Sequence, residues 1–330
     1  MIGRRQRRRL PRLAALALTV AAFSVAVAGC ALGSDQAERD VRQALVIPET
    51  TMAPPTTVPA PCPQTVSDVA IQGTLPVPKA MPPGTLQTIQ TRGYLVVGVD
   101  QNSLRLSYYN PSTQSFRGLE IDLLHAIAMA IFDDPNAIEF KVILSSQRED
   151  VINDGIVDIV ADAMTRTCDR DQRMVFTNAY LTTEQNLLVR KDSSVTSIDG
   201  LNGKHVCATI GSTSIQKLDN YPAVHPFPVA ARTDCLVALQ QGKVDAITSD
   251  NTILQGFQDQ DPNTKILPAT LEREPYGMLV GSKPHGSKGE HQDLANFVNG
   301  VLAQLDHAGK LSALQTCWLA PATDPRTATC

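Results

Sequence analysis

One pattern occurs twice in this chain. Ile152-Asn-Asp-Gly155-Ile-Val157-Asp158-Ile-Val-Ala-Asp162 is matched by Leu239-Gln-Gln-Gly242-Lys-Val244-Asp245-Ala-Ile-Thr-Ser-Asp250. Each reads as a helix end, a glycine able to take the left-handed cap, a buried strand, and an aspartate just past the strand's carboxyl end. Further strands read at Tyr94–Val99, Glu139–Leu144, Asn186–Val189 and Lys204–Ala208, with helical stretches between them; Leu119–Ala130 is apolar on nearly every side. Strand alternating with helix implies right-handed βαβ units, an α/β fold and mostly parallel sheets. Two copies of the unit imply two similar lobes. Ligands in open α/β sheets bind beyond the carboxyl ends of strands, so a cleft between the lobes is the expected site.

The first 29 of 330 residues hold six arginines and no acid. Arg4 to Arg12 is basic, Leu13 to Ala28 is an apolar run suited to a signal-peptide core, and Val27-Ala28-Gly29-Cys30 resembles the bacterial lipobox. A lipoprotein signal peptide is therefore expected over 1–29, with Cys30 acylated and the protein held on the outer face of the cytoplasmic membrane. Without that leader, 23 basic side chains face 33 acidic ones, a net charge of −10. Such a surface excludes nucleic acid as a partner. Ten of the 22 prolines lie between Pro48 and Pro83, so residues 30–84 read as a semi-rigid tether rather than part of a core. The six remaining cysteines form no C-x-x-C motif, and an even count in an exported chain favours disulfides. Six allow 15 pairings. The expected set is Cys207–Cys235, Cys317–Cys330 and Cys62–Cys168, the last pinning the tether to the first lobe. The histidines show neither H-E-x-x-H nor an i, i+4 pair, and no G-x-S-x-G elbow occurs. No metal, cofactor or catalytic centre is expected.

Several stretches in order resemble the extracellular solute-binding proteins for polar amino acids. They are Gly93-Tyr-Leu-Val-Val-Gly-Val-Asp100, Gly118-Leu-Glu-Ile-Asp-Leu123 and Gly155-Ile-Val-Asp158, then Met164-Thr-Arg-Thr-Cys-Asp-Arg170 with Phe176-Thr-Asn-Ala-Tyr180. Gly211-Ser-Thr213, Gly242-Lys-Val-Asp-Ala246, Asp250 and the Gly309–Trp318 segment continue the match. Actinobacterial glutamine/glutamate-binding lipoproteins are similar in layout. The resemblance implies a two-lobed periplasmic-binding-protein-like (type II) fold. Lobe 1 would be residues 94–184 plus 276–330 and lobe 2 residues 186–274, joined by two hinge strands near Thr183-Glu184-Gln185 and Glu274-Pro275-Tyr276.

It also implies a non-catalytic receptor that closes on glutamine, glutamate, asparagine or aspartate. The partner would be an ABC permease or, alternatively, a polytopic membrane sensor. A free amino acid needs a fixed cation and a fixed anion. Arg170 is the expected partner of its carboxylate and Asp250 of its ammonium. Thr165 adds a hydroxyl, Asp162 and Ala163 add backbone groups, and Ser212 and Thr213 offer N–H groups at a helix start. For the side chain, Asp100 would accept from an amide, whereas Arg105, with Arg166 nearby, would pair with a carboxylate. The family's aromatic shelves correspond to Ser103 and Ser145 and its lysine to Thr209, all small and polar here.

Overall fold

The computed structural model describes residues 84–283, 291–320, 324–328 and 330. The leader 1–29, Cys30, Cys62 and the tether before residue 84 lie outside the described residues. From the start of that range, α1 (Thr85–Arg92) is closed by Gly93 in the left-handed conformation. β1 (Leu95–Val99) is buried along its whole length, as a strand covered on both faces must be. An antiparallel meander of β2 (Asn102–Ser103), β3 (Ser107–Asn110) and β4 (Ser115–Arg117) fills a stretch whose polar composition gives no strand signal.

Gly118 then turns the chain into α2 (Leu119–Phe132), at φ 130° and so close to the Leu106 carbonyl that no Cβ fits. Glu120 and Asp122 in its first turn suit the positive end of the helix dipole. Leu119, Leu123, Leu124, Ile127 and Ala128 are fully buried, which accounts for the helix being apolar nearly all round. Each such leucine or isoleucine contributes about 1.5–3 kcal/mol. β5 (Ile138–Val142), α3 (Arg148–Asn153), β6 (Ile159–Val160), α4 (Cys168–Arg173) and β7 (Met174–Phe176) follow.

The chain then enters a second sheet through β8 (Leu181–Arg190), β9 (His205–Thr209), α5 (Thr213–Lys217), β10 (His225–Val229), α6 (Arg232–Gln240) and β11 (Ala246–Asp250). α7 (Asn251–Gln260), β12 (Thr264–Ile266) and β13 (Glu272–Tyr276) complete it. β14 (Leu279–Ser282) returns to the first sheet, and α8 (Gln292–His307) and α9 (Lys310–Leu319) end the fold.

The first sheet has the order β5-β1-β6-β14-β7; the second has β10-β9-β11-β8-β12, with β13 also paired to β8. The fold is the expected two-lobed α/β arrangement, but its sheets are mixed rather than mostly parallel. β1 pairs in parallel with β5 and β6, and β9 with β10 and β11. Every pairing made by β8, β13 and β14 within these sheets is antiparallel. These three strands leave and re-enter the lobes, so they run against the βαβ strands beside them. The crossings lie between Phe176 and Leu181 and between Tyr276 and Leu279, a few residues from those expected, and β8 and β13 pair with Thr183 opposite Glu274.

Disulfides join Cys207 to Cys235, tying β9 to α6, and Cys317 to Cys330, tying α9 to the segment after it. Cys168 is also disulfide-bonded; its expected partner Cys62 lies outside the described residues. The lobes meet directly around β2, at Arg105 and Leu104 among other residues. Arg105, in the turn after β2, donates to both carboxylate oxygens of Asp259 on α7, at 2.6 and 3.0 Å. One turn before Asp259, Gly256 faces the Leu104 carbonyl so closely that a Cβ would lie 2.8 Å from its oxygen.

Candidate functional site

Six strands aim their carboxyl ends at one region: β1, β5 and β6 from the first lobe, β9, β10 and β11 from the second. A pocket of about 300 Å³, part of it open to solvent, lies there. Arg148, Ala163, Thr165 and Arg170 line it from the first lobe; Thr209, Ser212, Thr213, Ser214, Arg232, Ser249, Asp250 and Ile253 line it from the second.

Arg170 sits on α4, whose Thr167 cap accepts from the Arg170 N–H. Its guanidinium donates to the Thr165 carbonyl (2.6 Å) and the Gly211 carbonyl (3.0 Å). Burial, then repulsion from Arg148, lowers it to about 9, so it remains a cation at neutral pH. Across the pocket, Asp250 ends β11 and caps α7. Tyr276 from the hinge donates its hydroxyl to Asp250 Oδ2, while the buried Oδ1 has no hydrogen-bond partner among the described residues. Burial raises the Asp250 pKa, opposed by Tyr276 and by Arg232, Arg148 and Arg170. Glu274, also at the hinge, is pushed up to about 8, by burial first and the Asp250 charge next. Thr213 bonds Glu274 Oε2 at 3.3 Å and lies 3.5 Å from the Thr165 hydroxyl.

The expected residues divide sharply. Arg170, Asp250, Thr165, Ala163, Ser212 and Thr213 line the pocket. The Ser212 N–H, however, is spent on the Thr209 carbonyl (3.2 Å), and its hydroxyl accepts from the Ile215 N–H. Asp162, Asp100 and Arg105 are not in the lining. The Asp162 side chain is fully buried, 2.7 Å from Arg232 Nη1 and 3.8 Å from Arg148. It is a counter-ion behind the wall, and its carbonyl also accepts from both arginines. Asp100 accepts from Ser103 (2.7 Å) and Arg232 (3.3 Å), so its acceptor capacity is already engaged. Arg105 is committed to Asp259 and to the carbonyls of Trp318 and Ala320, because it braces the meander against α7 and α9. Arg166 pairs with Asp171.

Two pocket arginines were not anticipated. Arg148, the first residue of α3, donates to the carbonyls of Ser145, Asp162 and Gly211. Arg232, the first residue of α6, reaches from the second lobe to Ser103, Ser145 and the Asp162 carbonyl of the first, at 2.7, 2.9 and 3.0 Å. Burial disfavours its charge, yet Asp162 and Asp100 outweigh that and hold its proton more tightly than usual. Glu120 shapes the same wall. It accepts from the Ala163 N–H (2.7 Å) and the Tyr180 hydroxyl, fixing a turn in which Ala163 has φ 45°. Among the described residues no group of three or more His, Cys, Asp or Glu side chains is arranged to hold a metal ion.

The sequence pattern of the bacterial extracellular solute-binding proteins, family 3, matches residues 95–321, from β1 to just past α9. The chain belongs to this family. It is a solute receptor and not an enzyme. A glutamine-binding protein of Geobacillus stearothermophilus is 36% identical over 196 residues, 59% of this chain and 75% of the relative. An ABC transporter glutamine-binding protein of Bacillus subtilis is 30% identical over 71% of this chain and 84% of its own length. A glutamate-binding protein of Corynebacterium glutamicum is 31% identical over 71% and 80%. Among solved structures, a mutant arginine-binding protein of T. maritima superposes with a TM-score of 0.63 at 26% identity, covering 71% of this chain and 98% of that one.

Proposed function

We propose that this receptor captures a polar amino acid (glutamine, glutamate, asparagine or aspartate) outside the cytoplasmic membrane and delivers it to an ABC importer. The observation that carries the reading is the pair of opposed buried charges in one pocket, Arg170 against Asp250, whose Oδ1 lacks a donor. A buried acceptor left unpaired costs about 1–3 kcal/mol, more when charged, and a ligand ammonium removes that cost. Arg170, with Thr213, takes the α-carboxylate. Asp250 takes the ammonium, with Thr165 and the Ala163 carbonyl beside it. The lobes, residues 94–184 plus 276–330 and 186–274, close by bending at β8 and β13. The glutamine- and glutamate-binding relatives support the ligand class and the transport role. Acylation at Cys30 anchors the protein, and residues 31–84 hold the receptor away from the lipid.

A thermal-shift screen of the full-length protein in detergent against the twenty amino acids tests this, because a ligand that binds only the folded state raises Tm. One or more of the four should raise it. Arg170→Ala should then cost about 3 kcal/mol, roughly 150-fold in Kd, because it leaves a buried carboxylate unpaired. No shift from any of the four, or an unchanged Kd in the variant, defeats the assignment.

A further inference from the structure

Arg232 and Arg148 both donate to the Asp162 carbonyl, each at 3.0 Å. Arg148 and Arg170 both donate to the Gly211 carbonyl, at 2.8 and 3.0 Å. The three guanidinium groups therefore form a row in which neighbours share an oxygen, and all three line the pocket. The only carboxylate in that lining is Asp250.

A zwitterion with a neutral side chain brings one carboxylate and one ammonium. It answers Arg170 and Asp250 and leaves Arg148 and Arg232, whose guanidinium groups already donate to first-lobe oxygens, beside an uncharged amide. An acidic amino acid brings two carboxylates, separated by two carbons in aspartate and three in glutamate, which suits neighbouring members of such a row. The carboxylates already paired with Arg232 do not fill this role. Asp162 and Asp100 stand behind the wall, and Arg232 and Asp162 are both nine-tenths or more buried. They hold Arg232 at the pocket from the first lobe, as outer partners orient a ligating group. Asp100 is bonded to Ser103, the Asn102 N–H and Arg232, so it is poorly placed to receive an amide. With Glu274 largely protonated at neutral pH, the hinge adds little repulsion toward a second carboxylate.

We infer that the solute is an acidic amino acid, with its α-carboxylate between Arg170 and Arg148 and its side-chain carboxylate between Arg148 and Arg232. This rests on the receptor reading above and makes Arg232 the specificity-determining residue. Arg232 belongs to the second lobe and meets its partners in the first only when the lobes are closed, so selectivity is imposed on closure.

The test is calorimetric titration of the full-length protein with glutamate, aspartate, glutamine and asparagine, for wild type, Arg232→Gln and Arg232→Lys. Wild type should bind at least one acid about 10-fold or more tighter than its own amide. Arg232→Gln should weaken every ligand, because it removes bonds that join the closed lobes, but should weaken the acid about 10-fold more than its amide and so bring the ratio toward one, and Arg232→Lys should restore part of the ratio. Amides bound as tightly as acids by wild type overturn the inference and leave the receptor reading standing. Equal losses for acid and amide in Arg232→Gln also overturn it. Binding of none of the four removes the receptor reading and the inference with it. If Arg232→Gln loses its melting transition, the wild-type ratio and the same titration of Arg148→Gln decide.

Discussion

Replacing Gly256 by alanine should separate folding stability from solute affinity. Gly256 lies in the middle of α7, where alanine is favoured over glycine by about 1 kcal/mol. That gain is present whether the lobes are open or closed and cancels in the equilibrium between them. Contact with the first lobe does not cancel. With the lobes together, the new Cβ would stand 2.8 Å from the Leu104 carbonyl oxygen and 3.3 Å from the Leu104 Cβ. The nearer obstacle is backbone, so α7 or the meander must shift. Overpacking of this kind costs about 1–3 kcal/mol, and here the cost falls on the closed state alone. Because solute binds by closure, Kd should rise roughly 5- to 150-fold. The solute-free Tm should hold or rise by a few degrees, at about 2–4 °C per kcal/mol. Calorimetric titration with glutamate and scanning fluorimetry without it measure the two quantities on one preparation. An unchanged Kd would refute the reasoning, since it would mean that the two surfaces do not have to meet for solute to be held. A loss of Tm matching the loss of affinity would also refute it, by showing damage to α7 itself.

Two buried carboxylates, Glu274 at the hinge and Glu120 on α2, make stability pH-dependent. Glu274 keeps its proton up to about pH 8 in the fold against an ordinary value of 4.5, and Glu120, raised by burial to about 7, acts with the same sign. For both, the stabilisation is complete below about pH 4.5 and is lost as pH rises through the folded values. The solute-free Tm should therefore fall between pH 5 and 8, and Glu274→Gln should flatten the upper part of that fall; an identical slope in the variant counts against it. The Cys207–Cys235 bond closes a 28-residue loop, worth about 3.6 kcal/mol by chain entropy. Cys207→Ser with Cys235→Ser should lower Tm by roughly 7–14 °C. It should also weaken glutamate binding, because Cys235 lies one turn beyond Arg232 on α6. A Tm within about 2 °C of wild type would show that this bond holds little.

The alternation of strand and helix, and the aspartate past each repeated strand, were legible because both follow from short-range pattern. Arg170 and Asp250, which both line the pocket, were singled out through the resemblance carried by the motifs around them. Arg148 and Arg232 were not, although each follows the carboxyl end of a strand, which is the signal that could have found them. β10 hid Arg232. With Pro226 and Pro228 it reads as loop, because proline cannot donate to a central ladder. β10 is an edge strand, paired only to β9, and residues two apart present their N–H positions to the same side. Both prolines can therefore face away from the sheet. Arg105 misled for the opposite reason. Its place near the end of β1 suggested the cleft, but Asp259 and the carbonyls of Trp318 and Ala320 are far away in the chain and only the tertiary fold brings them to it.

The position of β14 has a consequence for how the chain assembles. In the first sheet it lies between β6 and β7, yet among the described residues it is the last strand to be made. Until residues 279–282 arrive, β6 and β7 have no common neighbour, and the first lobe exists as two unjoined pieces. The second sheet is drawn from one continuous stretch, 181–276, and needs nothing outside it. Of the two lobes, the second is thus the one able to complete its sheet first as the chain is made. A chain stalled before residue 279 would therefore hold one finished lobe beside a sheet with open edges, a form exposed to aggregation and proteolysis.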